Sequence, residues 1–257
     1  MLITQEQNDR LTPTGRGTPC GELMRRFWQP AALSEELTAD KPLPVTLFGE
    51  ELILFRNDQA SPALIGRYCA HQGMDMIYGR VEEDGIRCLY HGWLFDTCGK
   101  VVMRGEWFPG GEQRMAVGQP AYPCVEVGGL ILTFMGPGDP PAAPADEFFV
   151  QPPVRFELTK VLRSENYLQG ILRANEPSLH GAQFVVPNVV TFHESPSGAE
   201  YRLRWHVPVD DDSHVEFTVR YLGELPTTGD PAGAAHQILL KSMEEMALSG
   251  GSRRDRP

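Results

Sequence analysis

The sequence predicts two structural halves, a mostly β first half of antiparallel strands and an α+β second half. Three observations predict this division. Short runs of β-branched and aromatic residues, separated by turn residues, fill residues 44–135. Residues 136–153 contain six prolines, which exclude a helix interior or a central strand and predict a linker. A candidate helix and alternating strand patterns follow the linker, within residues 154–222.

The two ends of the chain are predicted to flank these halves. Residues 1–43 form an N-terminal helical segment, because apolar residues recur at helical spacing in 18–28. Residues 223–257 form a flexible C-terminal region, with a helix candidate at 237–248 and a disordered tail.

Individual elements follow from local patterns. Strands in the first half are predicted at 45–48, 51–56, 63–67, 85–89, 93–96 and 129–134. In the second half we predict strands at 155–162, 201–208 and 214–221 and a helix at 165–172. A turn at 210–213 joins the last two strands. His206 and His214 alternate with polar strand residues, so we expect both to face solvent.

Composition excludes several functions. The net charge is −11 and the basic residues form no stripe, which argues against nucleic acid as a partner. The longest apolar runs are far shorter than a membrane span, so no membrane contact is expected. Five cysteines without even spacing do not indicate a disulfide framework. Residues 1–10 are polar and carry no signal peptide, so we expect a reducing cytoplasm.

The most informative pattern pairs one cysteine with one histidine twice. Cys69 and His71 form a C-x-H motif, and Cys88 and His91 form a C-x-x-H motif after sixteen intervening residues. In the first motif the two ligands lie two positions apart in a predicted extended segment, and in the second they span a tight turn. Two thiolates and two imidazoles are the ligands of a Rieske [2Fe–2S] centre. Such a centre transfers single electrons, so any further chemistry needs another site.

Two other interpretations of these four residues are weaker. Two Cys and two His also bind Zn²⁺, but the usual zinc-finger order places both Cys before both His, whereas here they alternate. Four unrelated structural residues would not be expected in matched short motifs. The remaining cysteines are interpreted as thiols without a role: Cys20, Cys98 and Cys124.

Around these motifs the sequence resembles a known family. Residues 69–101 read CAHQGMDMIYGRVEEDGIRCLYHGWLFDTCGKV and resemble the Rieske domain of ring-hydroxylating oxygenases. Residues 11–37 read LTPTGRGTPCGELMRRFWQPAALSEEL and are similar to the start of phthalate 4,5-dioxygenase-type alpha subunits. The resemblance covers residues 10–135, so residues 44–135 are predicted to be the Rieske domain.

The resemblance implies a ligand set. Cys69 and Cys88 would bind the buried iron, and His71 and His91 would bind the outer iron, whose imidazole edges would accept electrons. Trp93 would pack beside the cluster. Respiratory Rieske proteins carry an additional disulfide at the positions of Met74 and Tyr90, which cannot form here. The resemblance therefore implies the low-potential type of cluster found in oxygenases and ferredoxins.

For the second half the resemblance implies a catalytic domain with a mononuclear Fe(II) held by two His and one carboxylate. Asn166 matches the start of the family motif, and His180 is the candidate iron ligand. Glu176 is the candidate carboxylate linking a cluster His to the iron site, and His193 is the next imidazole. Val185 stands where the second His is expected, and the third-ligand segment is not found. We therefore predict a shortened, helix-grip-like α+β domain over 154–222.

The implied function is that of an oxygenase component. A reductase or ferredoxin would donate electrons, and O₂ would hydroxylate or demethylate a small organic, in particular aromatic, substrate. The resemblance further implies a homotrimer, in which a cluster reaches the neighbouring subunit's iron. The alternative is a Rieske electron-transfer protein whose vestigial second domain has no oxygenase activity of its own.

Overall fold

The structure is a computed structural model. It describes residues 4–57, 61–103, 118–144, 155–173, 180–185, 187–193 and 200–222. The chain divides into two compact units. One unit is Trp28–Met135, and the other combines Met1–Phe27 with Gly136–Pro257. The predicted helix at 237–248 and the predicted tail lie outside the described residues.

The unit Trp28–Met135 consists of antiparallel β-strands, as predicted. Its strands are β1 (Gln29–Leu33), β2 (Leu43–Leu47), β3 (Glu50–Arg56), β4 (Pro62–Gly66), β5 (Arg80–Glu82), β6 (Gly85–Arg87), β7 (Leu94–Phe95), β8 (Val101–Met103), β9 (Ala121–Tyr122), β10 (Cys124–Val127) and β11 (Leu130–Thr133). They form three sheets in the orders β1-β11-β10, β2-β3-β4-β9 and β5-β6-β7-β8. The chain between β4 and β8 therefore carries both Cys/His motifs.

Turn chemistry fixes the register of the first hairpin. Phe48 and Gly49 connect β2 to β3 with φ values of 53° and 76°, as a two-residue type I′ turn requires. Leu47 consequently pairs with Glu50. Gly49 adopts this φ at no steric cost. Phe48 is 1% exposed, so burial of its ring offsets the strain of its backbone.

One apolar cluster joins two of the three sheets of this unit and extends to the two Cys/His motifs. Its members include Ile53, Phe55, Ala63, Ile65, Met76, Ile86, Trp93 and Phe95, together with Cys69 and Cys88. Burial of each large apolar side chain contributes about 1.5–3 kcal/mol. The two cysteines thus lie in the core of the unit and not at its surface.

The other unit is α+β. Its helices are α1 (Gln5–Leu11), α2 (Pro19–Met24) and α3 (Tyr167–Arg173), and its strands are β12 (Arg155–Arg163), β13 (His180–Val185), β14 (Val189–His193), β15 (Glu200–Pro208) and β16 (His214–Leu222). The five strands form one antiparallel sheet in the order β12-β16-β15-β14-β13. The predicted helix, the strands around 155–162, 201–208 and 214–221, and the turn between the last two are confirmed.

The N-terminal segment of this unit is attached to the sheet through Asn166. The Asn166 Nδ2 amide donates to the carbonyl of Thr12 at 3.0 Å and to the carbonyl of Asp211 at 2.7 Å. The Asp211 carboxylate in turn accepts from the Thr14 backbone N–H at 2.8 Å. The Tyr167 hydroxyl donates to the Leu11 carbonyl at 2.6 Å. These hydrogen bonds satisfy backbone groups of residues 11–14 and of the β15–β16 turn. They therefore attach the N-terminal segment to the sheet at this turn.

Candidate metal centre

The two Cys/His motifs form loops with the same backbone closure. In the first loop the Cys69 N–H donates to the Met74 carbonyl, and the Gly73 N–H donates to the Cys69 carbonyl, both at 2.8 Å. In the second loop the Cys88 N–H donates to the Trp93 carbonyl at 2.8 Å, and the Gly92 N–H donates to the Cys88 carbonyl at 2.9 Å. The first motif was predicted to be an extended segment. The structure instead closes it into a turn like the second.

A glycine occupies the same place in each loop for a backbone reason. Gly73 and Gly92 each lie four residues after the cysteine and have φ values of 70° and 73°. Residues with a Cβ atom strongly disfavour this left-handed backbone region, whereas glycine adopts it freely. Both glycines are visible in the sequence. Only the hydrogen bonds of the structure show that the two glycines close their loops in the same way.

Ion pairs hold the ends of both loops. Arg67, two residues before Cys69, donates two hydrogen bonds to the Asp75 carboxylate just beyond the first loop, at 3.1 and 2.7 Å. This contact lowers the pKa of Asp75, chiefly through the hydrogen bond from Arg67. Arg87, beside the second cysteine, donates to the Gly92 carbonyl and in bidentate fashion to Glu82, each at 2.7 Å.

The four candidate ligands separate into a buried pair and an outer pair. Cys69 and Cys88 are 4% and 2% exposed, and their thiols lie within hydrogen-bond reach of each other. His71 and His91 are half-buried, with ring centroids 4.7 Å apart. The Trp93 indole stacks on the His71 ring at 4.5 Å, which matches the predicted position of Trp93.

Electrostatics differ between the two pairs. Burial raises the pKa of the Cys69 thiol, and the nearby Cys88 thiol raises it further. Backbone N–H groups of His71 and Gln72 act in the opposite direction by donating to the sulfur. Burial also lowers the pKa of His71, and the neighbouring His91 adds to that effect. A neutral imidazole is the form that binds metals, whereas a buried thiol must lose its proton to do so.

The arrangement fits a two-iron group better than a single zinc ion. Tetrahedral zinc brings four donors to within about 3.3–3.8 Å of one another. Among the described residues, only one set of three or more His, Cys, Asp or Glu side chains has all its donor atoms within 4.8 Å, and it contains none of these four residues. A cysteine pair separated from a histidine pair is what a mixed-ligand [2Fe–2S] group requires.

Trp93 offers a second test of that fit. Its Nε1 is buried and has no hydrogen-bond acceptor among the described residues of the chain. Buried N–H groups are almost always satisfied. An unsatisfied donor beside His71 is expected where an inorganic group with acceptor atoms completes the site.

The residues predicted for a mononuclear iron are only partly described. Glu176 lies outside the described residues. His180 is the first residue of β13, and its backbone is the cross-strand partner of His193 on β14. The structure thus brings these two candidate positions side by side, on the edge strand β13 and its neighbour β14.

A different set of polar residues was missed by the sequence analysis. His206 and His214 were expected to face solvent, and this is wrong, because both are 0% exposed. Glu216, on the same strand as His214, is 7% exposed. These three side chains form the converging set with all donor atoms within 4.8 Å. Burial is the main cause that lowers the pKa of His206 to about 3 and that of His214 to about 4.

Comparison with protein families identifies the first unit. Residues 27–106 match the Rieske [2Fe-2S] domain family. This match agrees with the two closed loops, the buried cysteine pair and the outer histidine pair. The chain therefore contains a Rieske [2Fe–2S] domain.

Similar proteins identify the wider group. The chain is 46% identical to the phenoxybenzoate dioxygenase subunit alpha of Ectopseudomonas oleovorans, over 50% of this chain and 31% of that protein. It is 36% identical to the 3-chlorobenzoate-3,4-dioxygenase oxygenase subunit of Comamonas testosteroni, over 90% of this chain and 53% of that protein. The chain is thus similar to alpha subunits of Rieske oxygenases, in agreement with the resemblance seen in the sequence.

A solved structure shows the same fold. The terminal oxygenase of carbazole 1,9a-dioxygenase from Novosphingobium sp. KA1 superposes with a TM-score of 0.65 at 16% identity, covering 94% of this chain and 81% of that chain. The chain spans about a third to a half of the length of the curated relatives it matches. None of the helices in the described ranges is long and apolar enough to cross a membrane.

Proposed function

We propose that this chain is a Rieske-type oxygenase component that receives single electrons and supplies them for O₂-dependent hydroxylation or demethylation. Cys69 and Cys88 would hold the inner iron of the [2Fe–2S] cluster, and His71 and His91 would hold the outer iron. The observation that carries this proposal is the contrast between the nearly inaccessible cysteine pair and the half-buried histidine pair. When bound, the cluster supplies reversible one-electron transfer.

The protein residues around the cluster would set its properties. The N–H groups of His71 and Gln72 that donate to the Cys69 sulfur would raise the reduction potential, because they stabilise negative charge on the sulfur. Trp93 fixes the plane of the His71 ring by stacking and excludes water from one of its faces. The ion pair of Arg87 with Glu82 keeps the second loop closed through the Gly92 carbonyl.

The electron donor would dock beside the histidine pair. Leu89 and Tyr90 directly precede His91 and are 59% and 61% exposed, and the Tyr90 ring lies 3.9 Å from the His91 ring. Exposed aromatic and aliphatic side chains at one spot are typical of protein contact surfaces. Solved relatives of this fold include complexes between the oxygenase and the ferredoxin of carbazole 1,9a-dioxygenase. We therefore propose a ferredoxin or reductase as the partner.

The substrate would be a small aromatic compound. Three of the relatives are named for phenoxybenzoate, 5,5'-dehydrodivanillate and 3-chlorobenzoate, which are all aromatic acids, whereas a fourth is named for tert-butanol and tert-amyl alcohol. We propose an aromatic carboxylate or aryl ether as substrate, a homotrimer as the assembly, and the cytoplasm as the location. His180 remains our proposal for a ligand of the mononuclear iron, and Glu176 for the carboxylate that links a cluster His to that iron site.

A second candidate function is electron transfer without oxygen chemistry in this chain. One observation favours it. Val185, at the position of the expected second histidine ligand, is a residue of strand β13 and offers no metal-binding atom. In that case the cluster would pass its electron to another protein.

The ligand assignment is tested by matched substitutions. Purified protein should contain two irons and two acid-labile sulfides per chain and show a Rieske electron paramagnetic resonance signal after reduction. Cys88→Ser and His91→Ala should remove this signal and the visible absorption. Cys98→Ser is the control, because Cys98 is exposed and lies in the same region of sequence. An unchanged signal in His91→Ala would remove His91 from the ligand set.

The oxygenase is tested separately from the cluster. The chain is supplied with a ferredoxin, its reductase and NADH, and a panel of aromatic carboxylates and aryl ethers is incubated under ¹⁸O₂. Incorporation of ¹⁸O into a hydroxylated product, or release of formaldehyde from an aryl methyl ether, supports the oxygenase if it depends on His180. Normal reduction of the cluster with neither outcome supports the electron-transfer protein.

A further inference from the structure

The buried polar set in the second unit lies on one face of the sheet. His206 on β15 and Glu216 on β16 are cross-strand partners, and His214 precedes Glu216 by two residues on the same strand. Side chains two positions apart in a strand point to the same face. All three are buried, although histidine and glutamate are seldom buried without a partner or a metal.

Hydrogen bonds fix which nitrogen of His214 carries its proton. The His214 Nδ1 atom lies 2.9 Å from the Glu165 carbonyl oxygen, which can only accept, so Nδ1 is the donor. In the neutral ring the Nε2 atom therefore has a free lone pair. The His206 Nδ1 atom lies 3.1 Å from this Nε2 atom. A backbone carbonyl that orients one ring nitrogen is the usual support for a metal-binding histidine.

The distance between the two nitrogens matches shared coordination. Two donors bound to one metal ion at about 2.0–2.1 Å each lie about 2.9–3.4 Å apart in octahedral or tetrahedral geometry. Without a metal the same 3.1 Å is a hydrogen bond from His206 Nδ1 to His214 Nε2. His206 Nε2 is buried without a partner in the described part of the chain in either case, so metal binding itself must distinguish the two arrangements.

Gly170 of α3 packs closely against both nitrogens. A Cβ atom at this position would lie 2.4 Å from His206 Nδ1 and 2.9 Å from His214 Nε2. Any residue larger than glycine would therefore occupy the volume that borders the two donors. Glycine at position 170 therefore lets helix α3 pack directly over the two histidine rings.

We propose that His206, His214 and Glu216 bind one divalent first-row transition-metal ion in the second unit. Two imidazoles and one carboxylate form a donor set that suits Zn²⁺ and Fe²⁺. Glu216 is held by Arg163 and Arg204, whose nitrogens lie 3.1 and 3.4 Å from its Oε1 atom. These two cations oppose a second positive charge, so the site binds its metal more weakly than a closed structural zinc site does. The proposal depends neither on the Rieske cluster nor on the assignment of His180.

The test is Zn²⁺ binding to the cluster-loaded protein. Isothermal titration and elemental analysis after gel filtration should show one Zn²⁺ per chain in addition to the two irons. Gly170→Ala should weaken binding at least about tenfold, because its Cβ would press against both donor nitrogens and displace them. Gly15→Ala is the matched control, since a Cβ at Gly15 meets nothing within 4 Å. Unchanged affinity in Gly170→Ala would overturn the proposal.

Further variants separate this site from others. Glu216→Gln preserves the shape of the side chain and should also weaken binding at least about tenfold, whereas His180→Ala should bind Zn²⁺ as the unchanged protein does. Arg163→Met should tighten binding by roughly threefold to tenfold, because it removes one opposing charge. Loss of Zn²⁺ in His180→Ala, or sulfur in the zinc X-ray absorption spectrum, would assign the metal to another site. Circular dichroism of each variant establishes that the sheet is folded.

Discussion

The His71 imidazole lies flat against the Trp93 indole, with ring centroids 4.5 Å apart and planes inclined by 7°. Trp93 is 5% exposed and belongs to the same apolar cluster as Cys69 and Cys88. The plane of an outer candidate ligand is therefore set by a residue of the core. Since Trp93 belongs to the second loop and His71 to the first, the stack also connects the two loops.

This relationship predicts different outcomes for two substitutions of Trp93. Trp93→Ala should lower the free energy of unfolding by about 3–5 kcal/mol, because it leaves a cavity in the core. It should also reduce the iron content, because the His71 ring loses its support. Trp93→Phe keeps an aromatic face and should retain most of the iron. Urea unfolding and iron analysis of both variants measure these effects. Equal iron in Trp93→Ala and unchanged protein would contradict the role of the stack.

The ligand motif could be predicted from sequence, but the loop geometry could not. The spacing of Cys69, His71, Cys88 and His91 indicated the chemistry because few sites combine those residue types in two short motifs. The common closure of the loops depends on backbone φ at Gly73 and Gly92 and on long-range burial of the cysteines. A single sequence does not encode those quantities in any local pattern.

The prediction for His206 failed for a related reason. Alternation in β15 correctly predicted a strand with two faces. Leu203, Trp205 and Val207 form one buried face of β15, and the expectation for His206 left the opposite face exposed to solvent. Helix α3 covers the opposite face, and its Gly170 approaches His206 closely. Periodicity separates the faces of a strand, but only tertiary packing decides whether both become buried.

Arg87 gives a second prediction, about the closure of the second loop. Its side chain is 18% exposed and donates to the Gly92 carbonyl and to both oxygens of Glu82. Arg87→Gln should lower the free energy of unfolding by about 1.5–3 kcal/mol, the usual range for hydrogen bonds to charged groups. It should also speed the bleaching of the visible absorption by a chelator. Both quantities are measured on the purified, cluster-loaded chain.

Arg80 is the control for Arg87. It contacts the same glutamate, but its side chain is 66% exposed. Arg80→Gln should therefore change stability by less than about 0.5–1 kcal/mol and leave the rate of bleaching unchanged. If both substitutions had the same effect, the contact with Gly92 would be irrelevant to loop closure.

A third prediction concerns the stability of the protein at acidic pH. The hydrogen bond from Arg87, with a further contribution from Arg80, lowers the pKa of Glu82 from its ordinary value of 4.5 to about 2. A carboxylate whose folded-state pKa is depressed stabilises the fold fully above its unfolded pKa. That contribution, about 1–2 kcal/mol with solvent screening, is lost as the pH falls from 4.5 towards 2.

The substitution Glu82→Gln removes this pH dependence. It should destabilise the protein at pH 7, and the stability difference from the unchanged protein should shrink as the pH falls below 4.5. Urea unfolding at pH 7, 5, 4 and 3 measures the difference, and Glu83→Gln controls for the loss of one negative charge at an exposed neighbour. A constant difference between pH 7 and pH 3 would show that Glu82 does not titrate in this way.

The last prediction concerns the attachment of the N-terminal segment in the second unit. Asn166 donates to the carbonyls of Thr12 and Asp211, and its Oδ1 accepts from the Leu168 N–H at 3.0 Å at the start of α3. Asn166→Leu should cost about 2–3 kcal/mol, because it removes a helix cap and leaves two carbonyls without their donor. Asn166→Asp keeps the oxygen that caps α3 but removes the amide that donates to Thr12 and Asp211. This variant therefore measures the contribution of those two hydrogen bonds without that of the helix cap.

Limited trypsin digestion distinguishes these two roles. If the Asn166 amide holds residues 11–14 against the sheet, both variants should be cleaved faster after Arg10 than the unchanged protein, although only Asn166→Leu should weaken α3. Local opening, and not global unfolding, would then control the cleavage rate. Fast cleavage in Asn166→Leu alone would instead show that the cap of α3 matters and that the contacts to Thr12 and Asp211 do not. The two variants therefore assign the stability of this segment either to the amide donor or to the capping oxygen.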